Sequence, residues 1–63
     1  MSGVDPGAYL QQVAVKLPEL KSRAQIETVL DEVEYLFEVI PPDLQEPAEQ
    51  LIAELRKRLA NVQ

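Results

Sequence analysis

The sequence predicts an all-α protein: an antiparallel helical hairpin over about 22–40 and 43–61, with a short N-terminal helix over about 6–17 laid across it in a three-helix, bundle-like arrangement. Three observations carry this expectation. Apolar side chains recur three and four residues apart in each segment, the spacing that lines one face of a helix. Pro6, Pro18, Pro41 and Pro42 stand at the segment borders, where a residue without an N–H opens or ends a helix at least cost. Asp5, Ser22 and Asp43, side chains able to accept from the free N–H groups of a first turn, precede the three segments. The chain is read as a single small helical domain over residues 1–63, with residues 1–4 expected as a disordered arm.

Asp5 followed by Pro6 opens the first helix, because proline tolerates the first helical position. Tyr9, Leu10, Val13, Ala14 and Leu17 share its apolar face, and Pro18 is expected to end it. Ser22 with Gln25 three residues on has the form of a capping box and opens the second helix. Behind it Ile26, Val29, Leu30, Val33, Leu36, Phe37 and Ile40 fill an arc of about 120° on a helical wheel. Phe37 is read as standing in the middle of that arc and is expected at the centre of the core. Pro41-Pro42 is expected to stop this helix after Ile40, since proline pushes the residue before it out of helical geometry.

The third helix is expected to begin at Asp43, with Glu46 completing a second capping box. Pro47 complicates that start. It lacks the N–H that would bond the Asp43 carbonyl, so a distorted or 3₁₀ first turn is expected, with regular helix only from about Glu46. Leu44, Ala48, Leu51, Ile52, Leu55, Leu59 and Val62 form its stripe, and Arg56, Lys57 and Arg58 complement the negative end of its dipole. The first helix is too short to cover the whole groove between the other two. Its uncovered end is a candidate contact surface.

A domain of 63 residues buries only about 60% of the surface its unfolded chain exposes, so stability is expected to be marginal and self-association is the simplest remedy. The chain has no cysteine, which removes disulfides and thiolate metal sites. The N-terminus lacks a signal-peptide pattern and no apolar run approaches the ~18 residues of a membrane span, so a cytoplasmic location is expected. A net charge of −5 argues against direct binding of nucleic acid or anionic membrane, both of which select a cationic face. A basic partner protein is the electrostatic complement.

Catalysis is not expected. With no His or Cys, and with Ser2, Ser22 and Thr28 as the hydroxyl residues, no activated nucleophile can be assembled. Ser22 is accounted for by capping, and its Lys-Ser-Arg setting is unlike the helix start that carries a phosphopantetheine arm. No glycine-rich phosphate loop is present, and no cofactor is expected.

The feature that stands out is acidic. Between Arg23 and Arg56 lie nine acids and no base, and four of them, Glu27, Asp31, Glu34 and Glu38, step by four, three and four along the second helix. That spacing stacks them in one strip, read as facing away from the apolar arc, where each like-charge neighbour pair costs about 0.2–0.5 kcal/mol. Carboxylates at this spacing can share a hard cation, but helical metal sites recruit His and face inward, so no metal is expected. Tyr35 and Val39 lie beside the strip, outside the core arc and one turn apart, an apolar pair among acids that resembles an interface in composition. Val15 is a further such residue on the first helix. Glu27, Asp31, Glu34, Tyr35, Glu38 and Val39 are therefore the candidate partner-binding residues; the bland alternatives are a solvated helix face and scattered surface apolar groups.

The expected function is a small acidic helical protein-protein interaction module, an adaptor, assembly factor or regulator, that also forms a homo-oligomer through the hairpin. The alternative is an acidic inhibitor or nucleic-acid mimic that blocks the basic site of a toxin or nucleic-acid-binding protein, the four strip acids standing in for phosphates.

Overall fold

The structure is a computed structural model that describes residues 5–62, so the expected arm at 1–4 lies outside the described residues. Helix α1 spans Pro6–Lys16, α2 spans Arg23–Phe37 and α3 spans Pro42–Asn61, with a 3₁₀ turn at Leu17–Glu19 between the first two. Among the described residues there is no strand. The three helices form the expected all-α hairpin with a short third helix against it.

The start of α1 follows from its first two residues. Asp5 takes extended geometry and its Oδ1 accepts from the Gly7 N–H at 3.0 Å, while Pro6 occupies the first turn. Pro18 does not simply end the helix. The chain continues into the 3₁₀ turn, with Pro18 in that turn's own opening positions, where its missing N–H has no partner to lose.

At α2 the capping box is complete. The Ser22 Oγ accepts from the Gln25 N–H at 3.1 Å, and the Gln25 Oε1 accepts from the Ser22 N–H at 3.2 Å, satisfying two of the free donors of the first turn. The other end is shorter than the apolar pattern implied. Regular helix stops at Phe37, and the Glu38 and Val39 N–H groups donate to the carbonyls of Tyr35 and Leu36, three residues back. Pro41 is the physical reason, since Ile40 is driven from helical geometry and the last turn tightens before it. Ile40 is nonetheless buried, so the turn contributes to the core.

The expected Asp43 cap is not formed. Pro41 is the N-cap, with no side-chain cap, Pro42 takes the first helical position, and Asp43 lies inside the first turn. Proline's preset φ lets the helix start two residues before the position an Asp43 cap would give, and the Asp43 carboxylate then acts on the positive end of the dipole rather than as a cap. Nor does the regular helix wait for Glu46: α3 is continuous from Pro42 through Pro47, and the Leu44 N–H donates to the Pro41 carbonyl at 3.0 Å, three residues back, at its opening.

The core is made of Leu10 and Val13 from α1, Ile26, Leu30 and Val33 from α2, Ile40 from the turn, and Ala48, Leu51 and Leu55 from α3. Ile26, Val33 and Leu55 are its largest fully buried side chains. Phe37, expected at the centre, is only partly buried. It sits at the turn end of α2, in a groove whose walls come from α2 and α3 alone.

The body measures 37 × 23 × 17 Å. At 1.5 Å per residue the 20 residues of α3 run about 30 Å along it, whereas the 11 of α1 reach about 16 Å. The N-terminal ends of α1 and α3 lie together: a Cβ built on Gly7 would stand 3.9 Å from the Leu44 Cδ2. Part of the α2–α3 seam is therefore left without a third helix.

Candidate functional site

The acidic strip of α2 is not uniform. Glu34 accepts from the Arg56 Nη2 of α3 at 2.6 Å, and the Glu27 carboxylate lies 3.8 Å from the Arg23 guanidinium one turn earlier. The two bases that border the long acidic stretch thus fold back onto it. Glu34 does not face away from the apolar arc as expected but flanks it on the α3 side, partly buried, because it lies only about 40° beyond Leu30 on the wheel. Both pairs are exposed enough that each contributes about 0–1 kcal/mol. Asp31 and Glu38 make no ion pair among the described residues.

The six candidate residues divide between two surfaces. Glu34 and Glu38 edge the α2–α3 groove, of about 490 Å³, together with Glu49 and Arg56, over a floor of Phe37, Ile52 and Ala53. Asp31 and Tyr35 line a different cleft, of about 440 Å³, with Tyr9, Glu32 and Leu36. Glu27 and Val39 line neither. The turn of helix between positions 31 and 35 carries one face past the α1 side, while 34 and 38 stay beside α3.

Tyr35 and Val39 are exposed, at 72% and 63%, as is Val15 at 74%. Their position outside the core arc follows from the periodicity of α1 and α2. Sequence reasoning missed Tyr9 and Glu32. Tyr9 counted only as an apolar face residue, and Glu32 stands outside the four-residue strip; yet the Tyr9 hydroxyl donates to the Glu32 Oε1, joining α1 to α2. The signal available was that a tyrosine at a helix–helix border needs a partner for its hydroxyl.

Burial holds the Tyr9 phenol well above the usual tyrosine range, and the bond to Glu32 and that carboxylate's charge push it further. Folded Tyr9 keeps its proton where an unfolded tyrosine, near pH ~10, releases it. Its contribution to stability is thus present in full below about pH 10 and is lost as the pH rises beyond that, because the native state then binds more protons than the unfolded one. Chemical unfolding across the alkaline range checks this: wild type should lose stability above about pH 10, and Tyr9→Phe should flatten the loss.

A third groove, about 620 Å³, runs between α1 and α3, floored by Leu10, Ala14, Leu44 and Leu51 and bordered by Pro47 and Gln50. Among the described residues no three acids converge on a point where a metal ion could sit, and no helix is long and apolar enough to cross a membrane. These features define a small three-helix protein with an acidic, partly apolar outer face on α2. Comparison with protein-family models, with curated proteins and with solved structures finds no match.

Proposed function

We propose that the protein is a small acidic helical protein-protein interaction module, an adaptor, assembly factor or regulator without catalytic activity of its own, that docks a partner on the outer face of α2. One observation carries the reading. Of the three large apolar side chains exposed among the described residues, two, Tyr35 and Val39, stand one turn apart beside Asp31 and Glu38. Single exposed apolar groups are ordinary, but a tyrosine with an aliphatic neighbour inside a charged border has the composition of an interface anchor. The partly buried Phe37 and Ile52 in the α2–α3 groove support the accompanying proposal of self-association through the hairpin.

The phosphate-mimic alternative is weakened by the engagement of Glu27 and Glu34 with Arg23 and Arg56, which leaves Asp31 and Glu38 as the unpaired members of the strip. Salt separates the two readings. An apolar contact persists as ionic strength rises, whereas a complex built on charge alone weakens steeply.

The experiment is capture of the native partner from host extract by wild type and by Tyr35→Ser with Val39→Ser. Both positions are exposed, so the double variant keeps the fold and is expected to lose roughly thirtyfold or more in affinity, the scale of one interface anchor. Replacing Glu27, Asp31, Glu34 and Glu38 by Gln or Asn should leave stability nearly unchanged, repulsion relieved offsetting two surface pairs lost, and should slow association. Undiminished capture by both variants would return this face to ordinary surface. Sedimentation equilibrium at micromolar concentration checks self-association; a stable 7.1 kDa monomer refutes it.

A further inference from the structure

We propose that the cleft between α1 and α2 receives the guanidinium group of an arginine presented by a positively charged partner protein. The inference rests on the interaction-module reading and specifies what one part of that surface binds.

The cleft gathers the chain's two tyrosines, Tyr9 from α1 and Tyr35 from α2, with Asp31, Glu32 and the apolar side of Leu36. No base lines it. It is a shallow, open cleft of about 440 Å³ in which Tyr35 is 72% exposed, room for one planar side-chain head rather than for an enclosed ligand. The hydroxyl of Tyr9 donates to one oxygen of Glu32, which ties the ring to α2 and leaves the second carboxylate oxygen outside that bond. Asp31 makes no ion pair among the described residues. Aromatic rings and unneutralised carboxylates therefore share one concave surface on a chain of net charge −5.

Physical chemistry narrows the occupant. An anion meets two carboxylates and no positive charge, and a neutral apolar anchor would strip water from those carboxylates without replacing it. A cation is attracted both by the ring faces and by the carboxylates. Between the two cationic side chains, the guanidinium is flat, weakly hydrated and able to stack on an aromatic ring while its fork of N–H donors meets a carboxylate; the lysine ammonium is a compact, strongly hydrated point charge. The cleft offers a ring and a carboxylate side by side, the pairing that suits arginine.

The test is nuclear magnetic resonance titration of the whole chain with a capped glycine–serine peptide carrying two arginines. The same peptide with lysine, and with citrulline, which keeps the shape of arginine but not its charge, provides the comparison. Saturable shifts are expected at Tyr9, Asp31, Glu32, Tyr35 and Leu36, about two- to fivefold tighter for arginine than for lysine and absent for citrulline. Tyr35→Ala should weaken the arginine peptide by roughly two- to fivefold, the scale of one exposed cation–π contact, and Tyr35→Phe should preserve it.

Equal responses to arginine and lysine spread over Glu38, Glu46 and Glu49 as well would overturn the proposal, as would an unaltered affinity in Tyr35→Ala. Val39→Ser, outside the cleft, distinguishes this failure from that of the broader reading. If that variant loses the native partner while arginine peptides ignore the cleft, the module stands and the arginine site falls. If Tyr35→Ala loses both the arginine peptide and the native partner while Val39→Ser keeps them, the arginine site stands and the Tyr35–Val39 anchor reading falls.

Discussion

Leu55→Ala is expected to unfold most of the protein at room temperature. Leu55 is fully buried in the core on α3, and truncating a buried leucine costs about 2–5 kcal/mol through lost transfer energy and the cavity left behind. A single core in a chain of this size supplies only about 3–5 kcal/mol of net stability. The substitution therefore removes much or all of the margin. Urea unfolding followed by circular dichroism is the measurement, with Phe37→Ala as the internal comparison. Because Phe37 keeps part of its surface in water, its truncation should cost less than that of Leu55. If Phe37→Ala proved the more damaging of the two, the rotation of α2 described here would be wrong.

Pro47→Ala is expected to act in the opposite direction. Pro47 is the sixth residue of α3, past the opening turn, where it removes the bond to the Asp43 carbonyl and crowds that oxygen with its ring. Alanine at an interior helical position is favoured over proline by about 3 kcal/mol, less about 1 kcal/mol because proline also restricts the unfolded chain. A net gain of about 1–2 kcal/mol should raise the melting temperature by on the order of 5–15 °C in a domain of this size. The side chain is exposed at the border of the α1–α3 groove, so little core packing is lost with it. A lowered melting temperature would mean that its contacts along that groove outweigh the helical penalty.

Several parts of this molecule were legible in its residues. The Ser22–Gln25 capping box, the Asp5-Pro6 opening and the apolar faces of α1, α2 and α3 are local features whose physics acts within one turn, so spacing alone predicts them. The exposure of Tyr35, Val39 and Val15 follows from the same wheel. Local ambiguity accounts for the errors. Asp43 and Pro41-Pro42 offered rival starts for α3, and the preset φ of Pro42 decided for the earlier one. The end of α2 depended on how far back Pro41 acts, and the turn tightened before Ile40.

The surface arrangement on α2 was not legible, and the reason is geometric. Periodicity determined an apolar arc and an acidic strip about the axis of one helix, but it carried no information on how the neighbouring helices sit against that axis. Tertiary packing decided that Glu34 meets Arg56 and that Glu32 receives the Tyr9 hydroxyl, each joining residues more than twenty positions apart. That Val33 and not Phe37 is central follows from the wheel itself, where Val33 bisects the apolar arc and Phe37 stands about 40° to one side. The sequence by itself determined three amphipathic helices and their charge; only the packing of one against another divided the acidic strip between two surfaces, because a helix face acquires its surroundings from the elements that cover it and from those too short to do so.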